Sequence, residues 1–136
     1  MNYSRLALAA VAATVFDACY GFLVYGMLLA PEFTRHAAVY RSEEAGPAYL
    51  PLMFGGLFIA ILCAAIIYAK GYEGGSGIGE GMRFGLLLGV FVAFAFSGVN
   101  YATLNIGRHL AAMVAAAGFV EWLVIGTIIG LVYKKA

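Results

Sequence analysis

Charge is scarce in this sequence. Only 11% of its 136 residues are Asp, Glu, Lys or Arg, against about a quarter in an ordinary soluble domain. Eight basic and seven acidic groups leave a net charge of +1, so there is no basic surface to take a nucleic acid. Thiols are scarce as well. Cys19 and Cys63 both fall inside apolar runs and read as small packing residues, not as a disulfide or metal pair. The two histidines, His36 and His109, match no metal-binding spacing. No Ser/His/Asp or Cys/His set stands at a defined spacing. The run Gly74-Gly75-Ser76-Gly77-Ile78-Gly79-Glu80-Gly81 contains neither GxGxxG nor GxxxxGK. It also follows a long apolar run instead of a strand, and Glu73 and Glu80 repel phosphate. These absences give no reason to expect an enzyme, a metal or a cofactor.

Hydrophobicity is what the chain has. Apolar residues make up 64% of it, with a mean hydropathy of +0.93. So little polar surface cannot clothe a water-facing globule, and the bilayer is its natural solvent. Four runs reach the roughly 20 apolar residues that a membrane helix needs: 6–29, 49–68, 84–106 and 110–133. The expected fold is all-α, a single domain built as an antiparallel bundle of four transmembrane helices. The first run resembles the start of a secretory signal, with Arg5 before an alanine-rich stretch. Apolar sequence continues past Asp17 to Leu29, too far for a cleaved signal, so a retained helix is expected. The residues before Cys19 include Asp17, which is wrong for a lipoprotein site.

The connections differ. The first is the longest and most polar, and its stretch 32–43 has no Gly or Pro and suits a short interfacial helix. The second, 70–83, reads as a glycine-rich hairpin, with Glu80 favouring the start of the third helix. The third is a tight turn near Gly107. With four helices, both termini and the second connection share one side. That side carries Arg5, Lys70, Arg83, Lys134 and Lys135, and the other carries Arg35, Arg41 and Arg108. The bias puts both termini in the cytoplasm. Tyr3, Tyr68 and Tyr133 would then form an inner aromatic belt, with Tyr49 at the outer interface.

In lipid, helices gain little from burying apolar groups against one another, so close contact depends on small residues. Each run carries a stripe of them at a spacing of four: Ala9, Ala13, Asp17, Gly21; then Gly56, Ala60, Ala64; then Gly85, Gly89, Ala93, Ser97; then Gly118, Gly126, Gly130. Two acids break the apolar pattern. Asp17 lies 12 residues after Arg5 and Glu121 13 residues before Lys134. At 1.5 Å per residue both sit about 18–20 Å from the inner end, near the midplane. A charge there costs at least about 2.5–3.5 kcal/mol. Each must therefore be neutralised, hydrogen-bonded or exposed to a watery cavity, and a facing pair would share a proton. Ser97, Asn100, Tyr101 and Tyr20 are the polar neighbours that would complete such a site. The plain alternative is that the acids are hydrogen-bonded glue between helices.

The segments Tyr68-Ala69-Lys70-Gly71-Tyr72-Glu73-Gly74 and Glu80-Gly81-Met82-Arg83-Phe84-Gly85 resemble those of an uncharacterised bacterial family of small four-helix inner-membrane proteins. The acid in the first helix and the glutamate in the last are similar too. That resemblance implies a bacterial inner membrane and no activity. Small multidrug transporters differ in the local pattern around their first-helix acid, and the membrane-associated glutathione and eicosanoid enzymes have arginine-rich motifs missing here. The expected role is association, as a homo-oligomer or as an accessory subunit of a larger membrane complex. The partners would be the lipid bilayer and other membrane subunits. The alternative is a small proton- or cation-coupled transporter or channel using Asp17 and Glu121.

Overall fold

The computed structural model describes residues 1–133. Lys134 and Lys135, which entered the charge count above, lie outside the described residues. Among these residues the chain is helical with no strand. Its four long helices are α1 (Tyr3–Leu28), α3 (Gly46–Gly71), α4 (Gly77–Thr103) and α5 (Arg108–Val132). A short α2 (Ala30–Arg35) follows α1 in the first connection. All four long helices are apolar enough to cross a membrane, so this is a multi-pass membrane protein folded as an antiparallel four-helix bundle.

Glycine fixes the tightest contact. Gly77, Gly81, Gly85 and Gly89 repeat every four residues along one face of α4 and lie directly on α5. A Cβ at Gly77 would stand 2.6 Å from the Gly130 carbonyl oxygen, one at Gly81 2.8 Å from that of Gly126, and one at Gly89 2.7 Å from that of Phe119. Gly126 and Gly130 meet the backbones of Gly85 and Gly81 in return. The two helices therefore touch main chain to main chain, the arrangement small residues permit in lipid. Two of these glycines precede residue 84, where the apolar run begins, because α4 starts at Gly77. The Ser76 hydroxyl accepts from the Gly79 N–H at 3.1 Å, which caps that start. The Glu80 carboxylate accepts from the N–H groups of Glu73 at 2.6 Å and Gly75 at 3.0 Å. The glycine-rich hairpin thus shrinks to a short turn in which Gly74 takes a positive φ of 85°, a conformation that only glycine adopts freely.

The rest of the core lies toward the termini. Leu6, Ala9, Ala10 and Ala13 of α1 pack with Ile61, Ala64, Ala65 and Tyr68 of α3 and with Ile125 and Ile129 of α5. Not every small residue expected at a contact is in one. A Cβ added at Gly21 or Gly56 would meet nothing within 4 Å, and Ala60 is only half-buried. Cys19 and Cys63 are unpaired and face outward instead of packing. Tyr68 and Tyr133 do not form a lipid-facing belt either. Both are buried and join Tyr72 and Phe84 in a cluster of rings 5.3–6.0 Å apart. The ends of α3 and α5 converge there, and the Tyr133 hydroxyl accepts from the Asn2 N–H at 3.3 Å.

At the opposite face the first connection is tied to the third. The Gly107 N–H donates to His36 Nε2 at 3.3 Å, while His36 Nδ1 lies 2.9 Å from the Glu32 carbonyl oxygen. His109 Nδ1 stands 3.6 Å from the Glu32 carboxylate, which also holds Arg35 at 2.6 Å. The Arg41 guanidinium sits 3.6 Å over the Tyr49 ring.

These contacts rank the glycines. Gly85→Ala and Gly126→Ala force a methyl into main chain and should destabilise the fold by about 1–3 kcal/mol, the usual penalty of overpacking. Gly56→Ala enters open space and should stay within about 0.5 kcal/mol of the parent. Unfolding of each variant in detergent provides the comparison. Equal losses at the three positions would refute the main-chain contact.

Candidate functional site

The half of the bundle away from the termini is open. Between Ala13 and Leu29 the only buried residue of α1 is Asp17, and α3 has no buried residue before Ile61. The sequence explains this. Alanines at 9, 10, 13, 64 and 65 let the two helices touch near the termini. Farther along, α1 carries Phe22 and Tyr25, and α3 carries Met53, Phe54 and Leu57. These larger groups hold the helices apart, and a cavity of about 560 Å³ lies between them.

Asp17, Gly21 and Gly26 line the cavity from α1 together with Phe22 and Tyr25. Its α3 wall is Leu50, Met53, Phe54 and Leu57, all apolar, and α5 contributes Glu121. Phe22 is 68% exposed, and Met53 and Phe54 are also exposed. The cavity therefore opens sideways between α1 and α3, and its floor is acidic.

Asp17 is 2% exposed and Glu121 7%, and their carboxyls stand side by side. Glu121 has a donor, the Tyr25 hydroxyl at 3.1 Å. Asp17 has only Glu121 itself, the two carboxyls being placed to share a proton; among the described residues no other group donates to either of its oxygens. Tyr20 lies next to the pair, its hydroxyl donating to the Ala117 carbonyl at 2.8 Å and its ring edge-on to Tyr25 at 6.1 Å. Among the described residues no Lys, Arg or His lines the cavity. A buried acid pair with one outside donor and no counter-charge is a poor structural tie, because it leaves much of its desolvation uncompensated.

The backbone carries a further mark. Directly after Asp17 and three intervening residues, α1 widens into a π-helical segment, Gly21–Leu28. In a regular α-helix Tyr25 would lie about 80° around the axis from Asp17. The wider turn takes up that offset and brings the Tyr25 hydroxyl to Glu121. Such insertions are rare and concentrate at functional positions. Tyr25 is the member of the site that the sequence does not single out: its spacing of eight from Asp17 fits a broad helical face, but nothing in the sequence marks the wider turn that brings its hydroxyl to Glu121.

The other polar residues suggested by the sequence lie elsewhere. Ser97 is buried in a second π-helical segment of α4, Ala93–Gly98. With Tyr101, Ala111 and Ala115 it lines a separate cavity of about 220 Å³ between α4 and α5. Asn100 and Tyr101 belong to the last turn of α4, which buries nothing, and both are exposed. Neither reaches Asp17 or Glu121. Among the described residues no three His, Cys, Asp or Glu side chains are grouped to hold a metal ion.

The family model described as "Protein of unknown function (DUF1761)" matches residues 8–130. The chain belongs to the DUF1761 family. That match includes both acids, the whole of α3 and α4, and most of α1 and α5. No curated protein and no solved structure matches the chain.

Structural glue and a ligand-binding acid predict opposite effects on stability. With no partner for Asp17 beyond Glu121, Asp17→Leu should stabilise the fold by about 1–3 kcal/mol, the desolvation penalty it relieves. Tyr25→Phe, which removes a made bond, should cost about 0.6 kcal/mol, the average for polar contacts between membrane helices. Reversible unfolding in mixed micelles measures both. Marked destabilisation by Asp17→Leu would make the acid a tie between helices.

Proposed function

We propose that this protein is a small proton- or cation-coupled membrane transporter working through Asp17 and Glu121. One observation carries the reading: Asp17 is buried, has no partner beyond Glu121, and is set with it at the closed end of a cavity open toward the membrane. Two adjacent carboxyls at that depth need a positive counter-charge, and no side chain lining the cavity supplies one. A proton or a bound cation would. Exchange between the two is the elementary step of coupled transport. On this reading the protein is not an enzyme, since the site offers charge and a hydrogen bond but no nucleophile held by a base. We place it in a bacterial inner membrane with both termini in the cytoplasm, following the resemblance and the distribution of Lys and Arg.

Association, as a homo-oligomer or accessory subunit, is the second reading, and it has one observation of its own. Most small residues are used within the chain, in the contact of α4 with α5. Gly55 and Gly56 are not: they lie exposed on α3, with open space over both. They suit a second helix from another copy or subunit.

The test uses proteoliposomes with a pH-sensitive dye inside. The parent should carry proton flux that depends on a monovalent cation gradient. Asp17→Asn and Glu121→Gln should each reduce it by at least about tenfold, as removal of an essential charge contact does. Flux that survives both substitutions, or is no greater than in empty liposomes, would remove the transport reading. Recovery of a larger assembly from native membranes in mild detergent would then favour association.

A further inference from the structure

The transport reading leaves the cation unnamed, and the cavity itself limits the choice. We propose that the cavity between α1 and α3 binds an organic cation with an apolar body, which enters sideways from the membrane and places its charge against Asp17 and Glu121. This inference rests on the transport reading of the same pair.

Size is the first argument. A volume of about 560 Å³ lies within the roughly 300–1,000 Å³ of small-molecule sites and is far more than a proton or a bare metal ion fills. The donor set is the second. An inorganic cation stripped of water needs several oxygens around it. This cavity offers two carboxyls and the Tyr25 hydroxyl at one end, and its remaining walls are hydrocarbon or aromatic. Those walls suit the body of an amphiphile. Tyr25 adds an aromatic ring at the charged end, which attracts an ammonium or phosphonium group. Charge is the third. An anion or a phosphate headgroup would meet two acids with no base beside them. A neutral apolar molecule would leave the acid pair without a counter-charge. The opening is the fourth: it faces sideways past the exposed Phe22, Met53 and Phe54, the direction from which a molecule already dissolved in lipid arrives.

The groups that titrate against such a ligand can all be named. Asp17 and Tyr25 come from α1 and Glu121 from α5, with Tyr20 beside them, and α3 contributes no ionisable group to the cavity. Protons compete for the same carboxyls, so acid conditions weaken binding.

The experiment measures equilibrium binding of radiolabelled tetraphenylphosphonium to the full-length protein in lipid nanodiscs. Tetraphenylborate, of the same shape and opposite charge, is the control. The parent should bind the phosphonium saturably, about one per chain, and release protons as it does so. The borate should bind no better than to empty discs. Asp17→Asn should weaken phosphonium binding by at least about tenfold, the loss of one charge contact. Gly21→Phe fills the cavity from a position with open space around it, so it should fold and should also abolish binding. Phosphonium binding equal to that of empty discs, equal saturable binding of the borate, or parent-like binding by both variants overturns the proposal. Asp17-dependent proton flux without phosphonium binding defeats this choice of ligand and leaves the transport reading intact. Saturable, Asp17-dependent binding without flux supports the ligand and defeats transport.

Discussion

Close approach between helices is the constraint on which this structure depends. Lipid gives apolar side chains no reason to prefer a neighbouring helix, so contact strength follows how nearly two backbones can meet. Where the chain places glycine every four residues, on α4 against α5, the main chains touch. Where it places alanine, on the terminal halves of α1 and α3, the helices pack one side-chain layer apart. Where it places Phe, Tyr, Met and Leu, on the other halves of the same two helices, they separate. The cavity is what remains when a gradient of side-chain size runs along one helix pair.

Asp17 stands at the turning point of that gradient. It continues the series Ala9, Ala13, Asp17, Gly21, in which the first two members are fully buried and the last lies in open space. An acid one turn earlier would be sealed inside the alanine contact, and one turn later it would face the open part of the cavity. At this position the carboxyl is closed off from behind and free in front. Glu121 meets it from α5, and the π-helical segment of α1 supplies the Tyr25 hydroxyl that holds Glu121 in place.

Much of this was legible in the sequence. The four helices follow from run length alone, because few soluble helices sustain 20 apolar residues. The adjacency of Asp17 and Glu121 was foreshadowed by counting from the charges near the inner ends. Legibility failed where local pattern and helix phase part company. Gly77 and Gly81 look like loop residues, since glycine is a poor helix former, and only the facing glycines of α5 reveal why they are helical. Asn100 follows Ser97 by a spacing that suits a shared face, yet the last turn of α4 buries no residue. Tyr25 is hidden by a π-turn that no hydrophobic period announces. The cavity has no one-dimensional signature at all, because it arises from large groups on two helices distant in sequence.

Under the proposed transport reading the site must open to each side in turn, and the contacts indicate which element can move. The α4–α5 pair is joined main chain to main chain, with no side-chain rotation available to loosen it. α1 is anchored at both ends: Asn2 meets Tyr133, and the connection leaving α1 is tied through His36 to Gly107. α3 is held differently. Its first half buries nothing, its far-face end is linked only to its own loop through Arg41 and Tyr49, and its grip on the bundle is the patch from Ile61 to Tyr68. On that reading, rocking α3 about that patch would close the present cavity. Small alanines at the pivot are what such a motion needs, since they pack closely yet offer no interlocking side chain that must first be withdrawn.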